Sequence, residues 1–119
     1  MAYQNNNDFK YDLLVGQMKE QELAKIFENS KIEVKYDKLA SKTGNLFIEF
    51  ECRGKKSGIS TTQADWWCFA IGKPPITFHL IETEHLKRLC REVFKTGRIV
   101  NGGDDGVAKG VLLKVSKIF

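Results

Sequence analysis

The chain reads as an α/β protein, a small mixed β-sheet flanked by helices. Two segments, Ile32 to Asp37 and Asn45 to Cys52, alternate apolar and polar residues with the period of a strand. Trp66-Trp67-Cys68-Phe69-Ala70-Ile71 is a continuous apolar run of strand length, as expected for a buried central strand. Leu86, Leu89, Cys90, Val93 and Phe94 recur at steps of three and four, the stripe of an amphipathic helix. The order helix, three or four strands, helix, strand places a helix on each side of one small sheet.

Each element has its own local reason. Residues 1–8 are polar, lack the basic and apolar regions of a signal peptide, and read as a short flexible arm. From about Phe9 to Asn29, Leu13, Leu14, Met18, Ala24 and Phe27 supply helical-period apolar positions. Ser41 to Asn45 has turn chemistry between the alternating runs, and Gly54-Lys55-Lys56-Ser57-Gly58 is an exposed basic loop. Thr61 to Asp65 is expected to start a short helical turn. Gly72 to Pro75 ends the apolar run, and Ile76 to Ile81 is a further strand. Thr83 is the expected N-cap of a helix reaching about Lys95. Asn101 to Gly106 is a Gly/Asp loop, and Val111 to Val115 a last strand. Residues 9–119 are expected to form a single domain.

Composition narrows the function. No apolar run approaches the roughly 20 residues of a membrane helix, so no membrane partner is expected. The three cysteines, Cys52, Cys68 and Cys90, are odd in number, widely spaced and set in apolar runs. They read as free thiols in a reducing compartment, the cytoplasm (the host cytoplasm if the protein is viral). His79 and His85 are too isolated for a zinc site. The net charge of +4 suits an acidic partner such as a nucleic acid without proving one.

The alternating runs carry the chemistry. If they pair as a hairpin across residues 38–44, Asp37, Glu49 and Glu51 crowd one patch beside Lys35. Carboxylates so placed repel unless a cation holds them, which is how a hard divalent metal is bound. Lys38 and Lys42 in the connection and Arg53, Lys55 and Lys56 after the second run would set a cationic rim beside this anionic patch.

A glutamate-bearing helix, a strand ending in Asp37 and a strand carrying Glu49 and Glu51 together resemble the PD-(D/E)xK nuclease superfamily. Gly16 to Asp65, including Thr43-Gly44-Asn45-Leu46-Phe47-Ile48-Glu49 and Ser57-Gly58-Ile59, looks like small phage-type nucleases of that group. The resemblance implies a restriction-endonuclease-like core and a Mg²⁺-dependent DNA endonuclease, with Mn²⁺ as a substitute. It implies Asp37 and Glu49 as metal ligands, Glu20 as the helix glutamate, and a homodimer acting on duplex or branched DNA. Glu51 stands where the pattern has lysine, so Glu51 or Lys35 is left as the general base. A lysine on a paired strand would reach the same site, because cross-strand Cβ atoms lie about 5 Å apart. Lys42, Arg53, Lys55 and Lys56 would contact phosphates, with hydroxyls from Ser60, Thr61 and Thr62.

The competing readings are a Holliday junction resolvase, a catalytically silent nuclease-fold DNA-binding module, and an interaction domain using Trp66 to Ile71. Glu33 reads as part of a solvated face and Asp65 as a local brace. Asp104 and Asp105 read as turn residues, and at least one of Trp66 and Trp67 as core.

Overall fold

The structure, a computed structural model, describes residues 6–74, 76–103 and 105–119. It is mixed α/β, with four α-helices and two sheets among the described residues. The chain divides into two compact units, residues 1–30 and 31–119.

The first unit is built on one helix, α1 (Asn6–Asn29). It starts three residues before the position the apolar pattern indicates, inside the stretch read as an arm. Residues 1–5 of that arm lie outside the described residues. The apolar side chains Leu13, Leu14, Met18 and Phe27 are exposed along α1. None of the helices is long and apolar enough to cross a membrane, among the described residues.

The second unit holds β1 (Ile32–Tyr36), a short helix α2 (Ala40–Thr43), β2 (Asn45–Cys52) and β3 (Lys55–Lys56). A single 3-10 turn follows at Gly58–Ser60. Then come β4 (Trp66–Ile71), β5 (Thr77–Glu82), α3 (Thr83–Phe94), β6 (Val100–Gly102), β7 (Ala108–Lys114) and α4 (Val115–Ile118). The strands form two sheets, ordered β1-β4-β5 and β3-β2-β7-β6, rather than one.

The expected hairpin of β1 and β2 does not form. β1 pairs in parallel with β4, placing Glu33 opposite Trp67 and Lys35 opposite Phe69. β2 pairs with β3 and β7 instead. The reason is burial. Trp67, Phe69 and Ile71 put β4 inside the core, where the backbone groups of both its edges need strand partners, and β1 fills the edge that β5 leaves. Asp65 sets the parallel register: its carboxylate accepts the Lys31 amide at 2.9 Å, while the Asp65 amide donates to the Lys31 carbonyl at 2.8 Å. It is a brace, though across 34 residues and not the local one expected.

One core joins the inner faces of both sheets to α3. Leu46, Ile48, Val111 and Leu113 come from one sheet, Trp67, Phe69 and Ile81 from the other, and Leu86 and Cys90 from α3. On the opposite face of the β1-β4-β5 sheet Val34 is 60 %, Tyr36 58 % and Phe78 66 % exposed, flanking the buried Cys68 and Ala70. Thr83 is not the cap of α3. Glu82 occupies that position, and the buried Thr83 hydroxyl donates to the Ala64 carbonyl at 2.9 Å. A tertiary tie outcompetes the local one. No helical turn forms at Thr61 to Asp65; the turn lies earlier, at Gly58–Ser60. All three cysteines are free thiols.

Candidate functional site

The β1 edge strand and β2 meet the 58–64 segment at an open groove of about 440 Å³. Glu33 and Lys35 of β1, Glu49 of β2, and Thr61 and Thr62 line it. Glu33 and Lys35 point to one face of β1 because they are two residues apart on a strand. Their charged atoms lie 4.0 Å apart, and Lys35 Nζ stands 5.7 Å from the centre of the Trp67 ring. The cation is thus held over an aromatic face beside a carboxylate.

Glu49 is fixed from the other side. Ser57 Oγ donates to Glu49 Oε2 at 2.7 Å. The backbone approach behind this contact depends on Gly58, whose φ is +55°. A Cβ at Gly58 would overlap the Glu49 carbonyl. The 3-10 turn therefore packs directly on β2 and carries Thr61 and Thr62 to the groove.

Glu51 does not share the groove. A β-bulge interrupts the β2–β7 ladder: Glu49 pairs with Gly110, yet Glu51 pairs with Lys109. The extra residue, Phe50, resets the alternation that would have put Glu49 and Glu51 on one face. Phe50 and Glu51 both line a different cavity of about 450 Å³. Glu51 Oε2 lies 3.5 Å from Lys109 Nζ, within ion-pair distance.

Asp37 is a tether, and it too is absent from the groove lining. Its Oδ1 accepts the Leu39 amide at 3.1 Å and its Oδ2 accepts the Phe47 amide at 3.0 Å. It closes an Asx-type turn ahead of α2, whose N-cap is Leu39, and joins that turn to β2. Glu20 lies on α1, in the other unit.

The basic residues divide. Lys42 is exposed on α2, and Lys55 is exposed on β3. Arg53 pairs with Asp105 at 2.7 Å. Asp104 lies outside the described residues. Lys56 and Ser60 line the cavity that holds Phe50 and Glu51. Burial pushes the thiol of Cys90, at the same cavity, up to about 12, against an opposing effect of Arg91.

Glu33, which the pattern places on a solvated face, and Lys31, which carries no signal of its own, both line the groove. The signal for Glu33 is present in Glu33-Val34-Lys35, an acid and a lysine two apart on one strand face, the literal (D/E)-x-K spelling. On the following strand the same spacing ends in Glu51 instead of lysine.

Two carboxylates and a lysine at an open groove suit a hard cation. Mg²⁺ is typically bound by one or two protein carboxylates, with waters and substrate phosphates completing its shell. Glu33 and Glu49 supply that number of hard oxygen donors. No group of three or more His, Cys, Asp or Glu side chains placed to hold a metal occurs among the described residues. No protein-family model, curated protein or solved structure matches this chain.

Proposed function

We propose that this protein is a metal-dependent phosphodiesterase, a DNA endonuclease acting at the groove between β1 and β2. The observation that carries the reading is the convergence of Glu33, Lys35 and Glu49 with two threonine hydroxyls in one open groove. In this reading Glu33 and Glu49 hold Mg²⁺. The metal, when bound, polarises the phosphate and lowers the pKa of a bound water. Lys35 offsets negative charge on the phosphate as the ester bond breaks, and Glu33 keeps its ammonium in place. Thr61, Thr62 and Lys31 contact the backbone of the nucleic acid without reading sequence.

Placing Glu51 in another cavity favours Lys35 over Glu51 as the groove's working cation or base. Two copies sharing the open apolar face of the β1-β4-β5 sheet would present two grooves, an arrangement suited to branched DNA.

The test is a cleavage panel on supercoiled, linear and four-way-junction DNA with Mg²⁺ or Mn²⁺. Cutting that is lost in Glu49→Gln, Glu33→Gln and Lys35→Met supports the reading. Preferential cutting of the junction identifies a resolvase. DNA binding without cutting under any metal would make the protein a silent DNA-binding module.

A further inference from the structure

The second cavity lies on the other side of the Gly58–Ser60 turn from the groove. Gly58 lines the groove, whereas Ile59 and Ser60 line the cavity. Its volume of about 450 Å³ is within the range of small-ligand pockets. Its apolar lining comes from Phe50, Ile59, Val111 and Phe94. Phe94 stands edge-on to Phe50, with ring centres 5.4 Å apart and planes at 88°. It is also 50 % exposed, so ring surface stays available to a ligand.

Charge completes the pattern. Lys56, Lys87 and Arg91 line the same cavity, against one carboxylate, Glu51, which lies in ion-pair reach of Lys109. Lys87, half-buried, lies 3.7 Å from the exposed Glu84 one turn along α3, so its charge is partly engaged. Lys56 and Arg91 have no ion-pair partner among the described residues. An apolar floor beside unpaired cations complements a flat ring carrying an anion.

We propose that this cavity is a nucleotide subsite, taking the base and phosphate of one nucleotide of the strand that enters the groove. The base lies against Phe94 and Ile59, and Arg91 and Lys56 hold the phosphate. The inference deepens the proposed nuclease reading and rests on it for the identity of the ligand. Stacking on an aromatic ring is tolerant of base identity, so this subsite grips the strand without selecting sequence.

The experiment is a titration of the full chain in EDTA with thymidine 5′-monophosphate, thymidine and inorganic phosphate, followed by calorimetry and amide NMR shifts. The nucleotide is expected to bind at least tenfold tighter than phosphate or thymidine alone. The shifted amides should cluster at 56–60 and 87–94. Phe94→Ala and Arg91→Gln should each weaken binding about fivefold or more; Arg91→Gln should leave the melting temperature near that of the parent, and Phe94→Ala, which loses its edge-on contact with Phe50, should lower it by a few degrees without unfolding the chain. Binding of the nucleotide no tighter than phosphate, or unchanged binding in both variants, overturns the proposal. The parent chain separates the two readings, because Glu49→Gln is expected to stop cutting while leaving nucleotide binding unchanged. Nucleotide binding in a protein that cuts no DNA keeps the subsite and rejects the reaction; cutting without nucleotide binding rejects the subsite alone.

Discussion

Ser57 Oγ donates a 2.7 Å hydrogen bond to Glu49 Oε2, so the segment after β3 fixes the rotamer of the groove's central carboxylate. A half-buried hydrogen bond to a charged acceptor contributes about 1.5–3 kcal/mol. Ser57→Ala is expected to lower stability by about 1–2 kcal/mol in urea unfolding. Metal-dependent cutting should fall about tenfold, with Ser57→Thr recovering most of it. Full activity in Ser57→Ala would show that Glu49 needs no such orientation.

Gly58 sets a harder limit. Its left-handed backbone alone disfavours any side chain, and a Cβ there meets the Glu49 carbonyl. Gly58→Ala should destabilise by about 2 kcal/mol or more, with the turn pushed away from β2. Gly54 is the control. It also has a positive φ, of 79°, but nothing lies near its would-be Cβ, so Gly54→Ala should cost about 1 kcal/mol. Equal losses at the two positions, read from thermal melts, would contradict the packing argument.

Asp37 separates a structural acid from a chemical one. Asp37→Ala leaves the Leu39 and Phe47 amides without their acceptor, at a cost of about 1–3 kcal/mol. Glu49→Gln should leave stability within about 1 kcal/mol while removing cleavage. A variant pair with the reverse pattern, in which Asp37→Ala folds normally and loses only metal binding, would return Asp37 to the metal site.

The contrast between these acids marks how far the sequence reaches. β2 and β4 occupy the residues that alternation and the apolar run indicate, because both signals are local. Strand pairing is not local. The buried strand β4 needs a backbone partner on its second edge and takes β1, and nothing in Ile32 to Asp37 announces that pairing. The bulge at Phe50 is equally silent, since one inserted residue reverses a face without changing composition. Asp37 looks like a ligand by spacing, and the structure engages both its carboxylate oxygens with the Leu39 and Phe47 amides. Glu33 looks solvated by pattern and lines the groove because β1 is an edge strand.

The open face of the β1-β4-β5 sheet gives a test of assembly. Val34, Tyr36 and Phe78 stand together there, each more than half exposed. If two copies share this face, Phe78→Lys should shift the protein from dimer to monomer in light scattering without altering its circular dichroism. A parent protein that is monomeric at high micromolar concentration would sink the shared-face arrangement and leave the groove argument untouched.

The buried thiol of Cys90 predicts the alkaline limit of the fold. Burial raises its pKa from 9.0 to about 12. Below pH 9 the thiol is protonated in both folded and unfolded chains, and its titration contributes nothing to pH dependence. Between about pH 9 and 12 the unfolded thiol loses its proton while the folded one keeps it. The folded state then binds more protons, so stability falls as pH rises, by up to about 1.4 kcal/mol per pH unit for this group. Cys68, whose pKa is raised in the same direction by burial, adds to the slope. Urea unfolding at pH 8, 9 and 10 should show this decline, and Cys90→Ala should make it shallower while lowering stability at pH 8 through the lost packing. An unchanged slope in Cys90→Ala would mean that the thiol titrates in the folded protein as it does in the unfolded chain.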